Sequence, residues 1–139
     1  MKSNFIYIFF ILLILGSCSR KKDKFLNKKF HLTTTKYNYL FNGNNLLVQG
    51  IDQENSGLTE NFWELIPIEK FDLKKINEKE NEQSIFTDAE EKATLAIQKH
   101  SMNIMGEERN PIMDKAYLLL GKSRYYDGRY IPSLEAFNY

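Results

Sequence analysis

The stretch DKAYLLLGKSRYYDGRYIPSLEAFNY, residues 114–139, decides how this chain folds. It reads as two helices joined by a tight turn. Tyr117 stands four residues before Gly121, so ring and glycine share one helix face, and the ring is expected over the gap that glycine leaves. Asp127-Gly128 is a turn dipeptide and permits positive φ where the first helix must stop. Tyr130 opens the second helix. Pro132 falls in its first turn, where a missing N–H costs little, and Phe137 takes its inner aromatic place.

These residue types at these spacings resemble a tetratricopeptide repeat, a helix–turn–helix unit of about 34 residues. In that alignment the repeat core is Tyr117, Leu120, Gly121, Gly128, Tyr130 and Phe137. Arg124 departs from the pattern by replacing an aromatic one turn after the glycine, and Ser133 by replacing an alanine. The implied fold class is all-α, a helical repeat or α-solenoid. Residues 112–139 form an incomplete repeat, since Tyr139 falls partway along the second helix. One repeat cannot bury its apolar face alone, so the chain is expected to be the front of a longer protein or a truncated reading frame. First helices of stacked repeats line an inner groove. Lys115, Leu118, Lys122, Tyr125 and Tyr126 would face it, or else Leu118 and the tyrosines pack on a neighbouring repeat.

The front of the chain reads as a leader. Lys2 precedes an unbroken apolar run of 11 residues, Phe5 to Leu15, which is signal-peptide length and too short for a bilayer span of about 20. Leu15-Gly16-Ser17-Cys18 resembles a bacterial lipoprotein box. Residues 1–17 would then be removed, leaving Cys18 as the lipid-bearing first residue. Diacylglycerol and an N-acyl chain such as palmitate are the expected covalent groups, and no other cofactor is expected. Cys18 is the single cysteine, so a disulfide within the chain is excluded.

Residues 18–35 follow as a basic tether. Residues 20–36 carry seven basic side chains and one acid, a net +6, while 37–139 carry 11 basic and 17 acidic, a net −6. The overall +1 therefore hides a polarised molecule. A polybasic segment beside acyl chains is a two-signal membrane anchor. Nucleic acid is not an expected partner of an exported chain without a folded basic domain.

Residues 36–111 are expected to be helical and repeat-like, with a polar loop near 72–87. Thr33-Thr34-Thr35 can cap a helix beginning near Lys36. Tyr39, Gly43 and Gly50 repeat the intervals of Tyr117, Gly121 and Gly128, 78 residues earlier. A helix–turn–helix start is expected there, with Gly50 in the place of the turn. In ENFWELIPIEKF, residues 60–71, Trp63 is expected to be a core anchor and Pro67 a helix stop. Thr87 or Asp88 caps a helix from Ala89 to His100, with Ala89, Ala93 and Ala96 on one small-residue face. Met102 to Asn110 is a loop, and Asn110-Pro111 begins the next repeat.

Catalytic and metal signatures are not found in the sequence. His31 and His100 are 69 residues apart with no ligand-spaced neighbours, and no phosphate loop or nucleophile elbow is present. The expectation is a binding protein and not an enzyme, with no small-molecule substrate.

Taken in order, the blocks CSRKKDKFLN, TTTKYNYLFNGNNLL, ENFWELIPIEKF, AEEKATLAIQKHSMNI and NPIMDKAYLLLGKSRYYDGRYIPSLEAFNY resemble the N-terminal part of the tetratricopeptide-repeat lipoproteins of the type IX secretion and gliding-motility machinery. The resemblance runs from Cys18 to Tyr139. It implies an outer-membrane lipoprotein facing the periplasm, a scaffold that couples motor and ring components to the translocon. Two other functions fit a helical lipoprotein: nutrient (glycan) binding beside a transporter, which would need exposed aromatics on one face, and assembly of outer-membrane barrels.

Overall fold

The computed structural model describes residues 19–57, 63, 65 and 84–139. The leader at 1–17, Cys18, Pro67 and most of the polar loop at 72–87 lie outside the described residues. The described architecture is all-α apart from one short hairpin. Helix α1 is Phe25–Thr34, followed without a break by a π-helical segment, Thr35–Leu40, and by α2, Phe41–Ser56. Then come α3 (Ile85–His100), the two-residue strands β1 (Asn103–Ile104) and β2 (Glu107–Glu108), α4 (Met113–Tyr126) and α5 (Tyr130–Phe137). The strands pair antiparallel around Met105-Gly106, both at positive φ, where a loop was expected.

The long first rod overturns the expected helix–turn–helix start. The helix begins at Phe25, well before Lys36, and Thr35 is inside it with its hydroxyl donating to the His31 carbonyl at 2.7 Å. That local bond satisfies Thr35 within the helix instead of at a cap. Gly50 is helical and buried, not a turn residue. Buried positions along the rod are Asn27, His31, Thr35, Leu40, Gly43, Leu47 and Gly50. The step from Thr35 to Leu40 is five residues, the i→i+5 spacing of a π turn. This wide turn rotates the second half of the rod so that both halves bury one continuous face.

Helix α3 is the centre of the molecule, packed by α2 on one side and α4 on the other. It starts at Ile85, earlier than expected. Ser84 is its N-cap, with Oγ accepting from the Thr87 N–H at 3.2 Å. Ala89, Ala93 and Ala96 are each fully buried, as expected of that face. On the α2 side, a Cβ at Gly43 would meet Leu119 Cδ2 at 2.6 Å, and one at Gly50 would meet the Phe86 ring at 2.5 Å. The missing side chains of Gly43 and Gly50 thus make room for Leu119 and Phe86, and Leu47 and Met113 pack in the same core. The expected core role of Trp63 is not seen. Trp63 is 97% exposed, and the large central aromatic is Phe86, admitted by the missing side chain at Gly50.

Candidate functional site

Most of the candidate residues lie in the C-terminal hairpin. Helix α4 ends at Tyr126, Gly128 sits at φ +80°, and Tyr130 opens α5, as the sequence implied. The gap at Gly121, however, is filled by Phe137. A Cβ there would lie 2.4 Å from that ring. Side chains lean toward the helix N-terminus, so Tyr117 points away from Gly121. Tyr117 stacks instead on Tyr139, with centroids 3.5 Å apart and planes within 8°. Leu120 is buried, while Tyr130 and Phe137 remain nearly half exposed.

The two departures from the repeat pattern each have a structural role. Ser133 is buried and donates from Oγ to the Gly121 carbonyl at 2.7 Å, joining α5 to α4. Arg124 donates from Nε to Glu90 at 2.7 Å and from Nη1 to the Pro132 carbonyl at 3.0 Å. Arg129 also binds Glu90 and donates to Asp127 at 2.7 Å. Burial alone would raise the Glu90 carboxyl. The hydrogen bonds from Arg129 and Arg124 outweigh it and hold the group below its ordinary value. The sequence hinted at this network only through Arg124 standing where a ring was expected.

The five expected groove residues divide into two sets. Lys115, Leu118 and Lys122 are exposed along one face of α4, and Tyr125 is half-buried, edge-on to Tyr126 and Tyr130. Tyr126 turns inward and stacks on Phe86, with centroids 5.7 Å apart, so it belongs to the packing between α3 and α4. A groove of about 200 Å³ lies where the π segment meets the start of α4, lined by Lys36, Tyr37, Leu40, Phe41, Asn44, Ile112 and Lys115. Lys36 Nζ lies 5.0 Å from the Tyr37 ring centroid. Tyr37 and Phe41 are 59% and 58% exposed. Val48 and Leu118, each about half exposed, extend this surface along the same two helices. Lys115 and Lys122 make no ion pair among the described residues. Sequence reasoning missed the α2 side of the groove, because the π turn that brings Tyr37 and Phe41 to it has no signature in hydrophobic periodicity.

A second cluster was also unforeseen. His31 and His100 meet with their Nδ1 atoms 2.9 Å apart, both buried. The ring centroids are 5.2 Å apart, close to the longest separation such a contact allows, so the nitrogens face each other head-on. This is the geometry of one N–H···N hydrogen bond, and a metal ion has no room between the rings. Thr35 and Asn110 complete the cluster: Asn110 donates from Nδ2 to the His100 carbonyl at 3.0 Å and to Thr35 Oγ1 at 3.3 Å. His31 Nε2 is buried without a hydrogen-bond partner among the described residues. The cheaper assignment therefore puts the shared proton on His31 Nδ1, leaving Nε2 a bare acceptor and not a stranded donor. Burial lowers both rings, His100 to about 4, with the positive charge of Arg20 adding to the effect on each. No group of three or more His, Cys, Asp or Glu side chains able to hold a metal occurs among the described residues. None of the described helices is long and apolar enough to cross a membrane.

No protein-family model and no curated protein matches this chain.

Proposed function

We propose that the protein is a lipid-anchored scaffold that binds partner proteins through a groove between successive helices. The supporting observation is that groove: exposed Tyr37, Phe41 and Leu118 beside Lys36, Lys115 and Lys122. Apolar side chains left at the surface in a line, with lysines that have no acidic partner among the described residues, favour docking of an acidic amphipathic segment. The order of packing also favours repeats. Helices α2 to α5 pack each on the next, and α2 additionally touches α4, as first helices of adjacent repeats do.

The proposed setting is the cell envelope, as an outer-membrane lipoprotein facing the periplasm and anchored at Cys18. The resemblance of its sequence blocks supports a role in type IX secretion and gliding motility, where the groove would hold a motor, ring or translocon component. In cells with that machinery, Lys115→Glu combined with Lys122→Glu is expected to reduce co-isolation of secretion components at least tenfold, with helicity unchanged. Undiminished capture would overturn the assignment of the groove. Glycan binding is a second reading, favoured by the exposed rings of Tyr37 and Phe41 on one face. Retention on immobilised glycans that Phe41→Ala abolishes would support it over the scaffold.

A further inference from the structure

We infer that the start of α1 is a membrane-seating surface for anionic lipid, so that the folded domain rests on the bilayer in a fixed orientation and does not hang from a flexible tether. Phe25 and Leu26 are each 71% exposed, and Phe30 is 45% exposed. Residues 25, 26, 29 and 30 share the helix face opposite Asn27 and His31, which are buried. Lys22 and Lys24 lie just before Phe25 in the chain and Lys29 just before Phe30, and none of the three makes an ion pair among the described residues. Exposed aromatics set among unneutralised lysines are the pattern of a helix lying in the headgroup region of an anionic membrane.

The connection to the anchor position is short and held. Asn27, 4% exposed, donates from Nδ2 to the Ser19 carbonyl at 2.7 Å and to the Lys22 carbonyl at 3.3 Å. The backbone also turns here, with the Lys22 N–H donating to Ser19. A buried side chain thus fixes the residue that follows Cys18 against the helix start. Six residues separate Cys18 from Phe25, so even a fully extended chain of seven Cα–Cα steps would keep the patch within about 25 Å of a lipid on that sulfur. This inference deepens the anchored reading, and the two can fail separately.

The test uses the full chain reconstituted in vesicles with brominated lipids, in a Trp63→Phe background. One tryptophan replaces Phe25, and in a second protein one replaces Ile131, which is 76% exposed. Ile131 lies in α5, and the turn before α5 is tied to Ser84 at the start of α3, whereas α1 meets the other end of α3 at His100. With phosphatidylglycerol present, emission from Phe25→Trp is expected to fall by roughly half, as suits a side chain about 5–10 Å into the headgroup boundary. Emission from Ile131→Trp should stay unchanged. Lys22→Glu with Lys29→Glu, or pure phosphatidylcholine, should remove most of the quenching. Equal quenching at both positions, or none at Phe25→Trp, overturns the inference. Mass analysis of Cys18 tests the anchor independently: a lipidated Cys18 with no quenching at Phe25→Trp refutes the seating surface alone, and quenching without lipidation refutes the anchor alone.

Discussion

His31 and His100 are joined across 69 residues by one Nδ1–Nδ1 hydrogen bond of 2.9 Å at the junction of α1 and α3. Two neutral imidazoles can share one proton in this way. If both rings are protonated, two N–H groups point at each other. Arg20 and Lys99 add further positive charge. A histidine whose folded pKa lies below its unfolded value binds fewer protons when folded. Its contribution to stability is therefore complete above about pH 6.5, the ordinary histidine value, and is lost as pH falls toward the folded value of about 4. Denaturant titrations at stepped pH should show a loss on the order of 2 kcal/mol across that window. In His100→Gln the loss across the same window should shrink to the share that His31 contributes through burial and Arg20. An unchanged slope in that variant would show that the pair does not control acid sensitivity.

Glu90 should account for a separate, more acidic window. Its carboxyl is held below the ordinary value, so its stabilising effect is present above about pH 4.5 and is lost as pH falls below that. Glu90→Gln leaves Arg124 without a charged acceptor among the described residues and leaves Arg129 with Asp127 alone. Arg129 is 42% exposed and its share is screened by solvent, so a loss of about 1 kcal/mol is expected at neutral pH. Urea midpoints at pH 7 and pH 3 check this, with the difference from wild type shrinking at the lower pH.

Gly50→Ala tests the close approach of α2 and α3. Alanine is the better helix former by about 1 kcal/mol, which alone would stabilise α2. The new methyl would sit 2.5 Å from the ring of Phe86, which is 1% exposed and has nowhere to move. Overpacking of about 1–3 kcal/mol should outweigh that gain by about 1 kcal/mol, and the thermal midpoint should fall by about 3–5 °C. A rise in the midpoint would mean that the two helices are not held at this distance.

Tyr126 and Lys122 should separate packing from binding. Tyr126→Ala removes the stack on Phe86 and should cost about 1–2 kcal/mol. Lys122→Glu, on the exposed face, should change stability by less than about 0.5 kcal/mol. Chemical unfolding of the two single variants measures both. If Lys122→Glu unfolds the protein, this face is part of the core and not a docking surface.

Some of this structure was written locally. Gly128 at the turn, Tyr130 at the start of α5 and the alanines of α3 follow from turn chemistry and helical spacing, which act over a few residues. The buried glycines of α2 were visible as a pattern, but their role was not. Gly50 looks like a turn residue until α3 is placed against it. The π turn was invisible, since a step of five between Thr35 and Leu40 breaks the periodicity used to read a helix. The histidine pair and the α2 side of the groove depend on that step. Nothing in the chain between positions 31 and 100 encodes their meeting. Only the packing of α1 on α3, with the rod rotated by the π segment, brings the two rings together and sets Tyr37 and Phe41 beside Lys115. By itself the sequence determined the helical character of α3, α4 and α5 and where the C-terminal turn falls, because those choices are made by neighbouring residues, whereas the helix at Phe25–Thr34 lies where a tether was expected. The tertiary structure decided which surfaces are buried and which side chains meet, because those depend on how one helix is rotated against another.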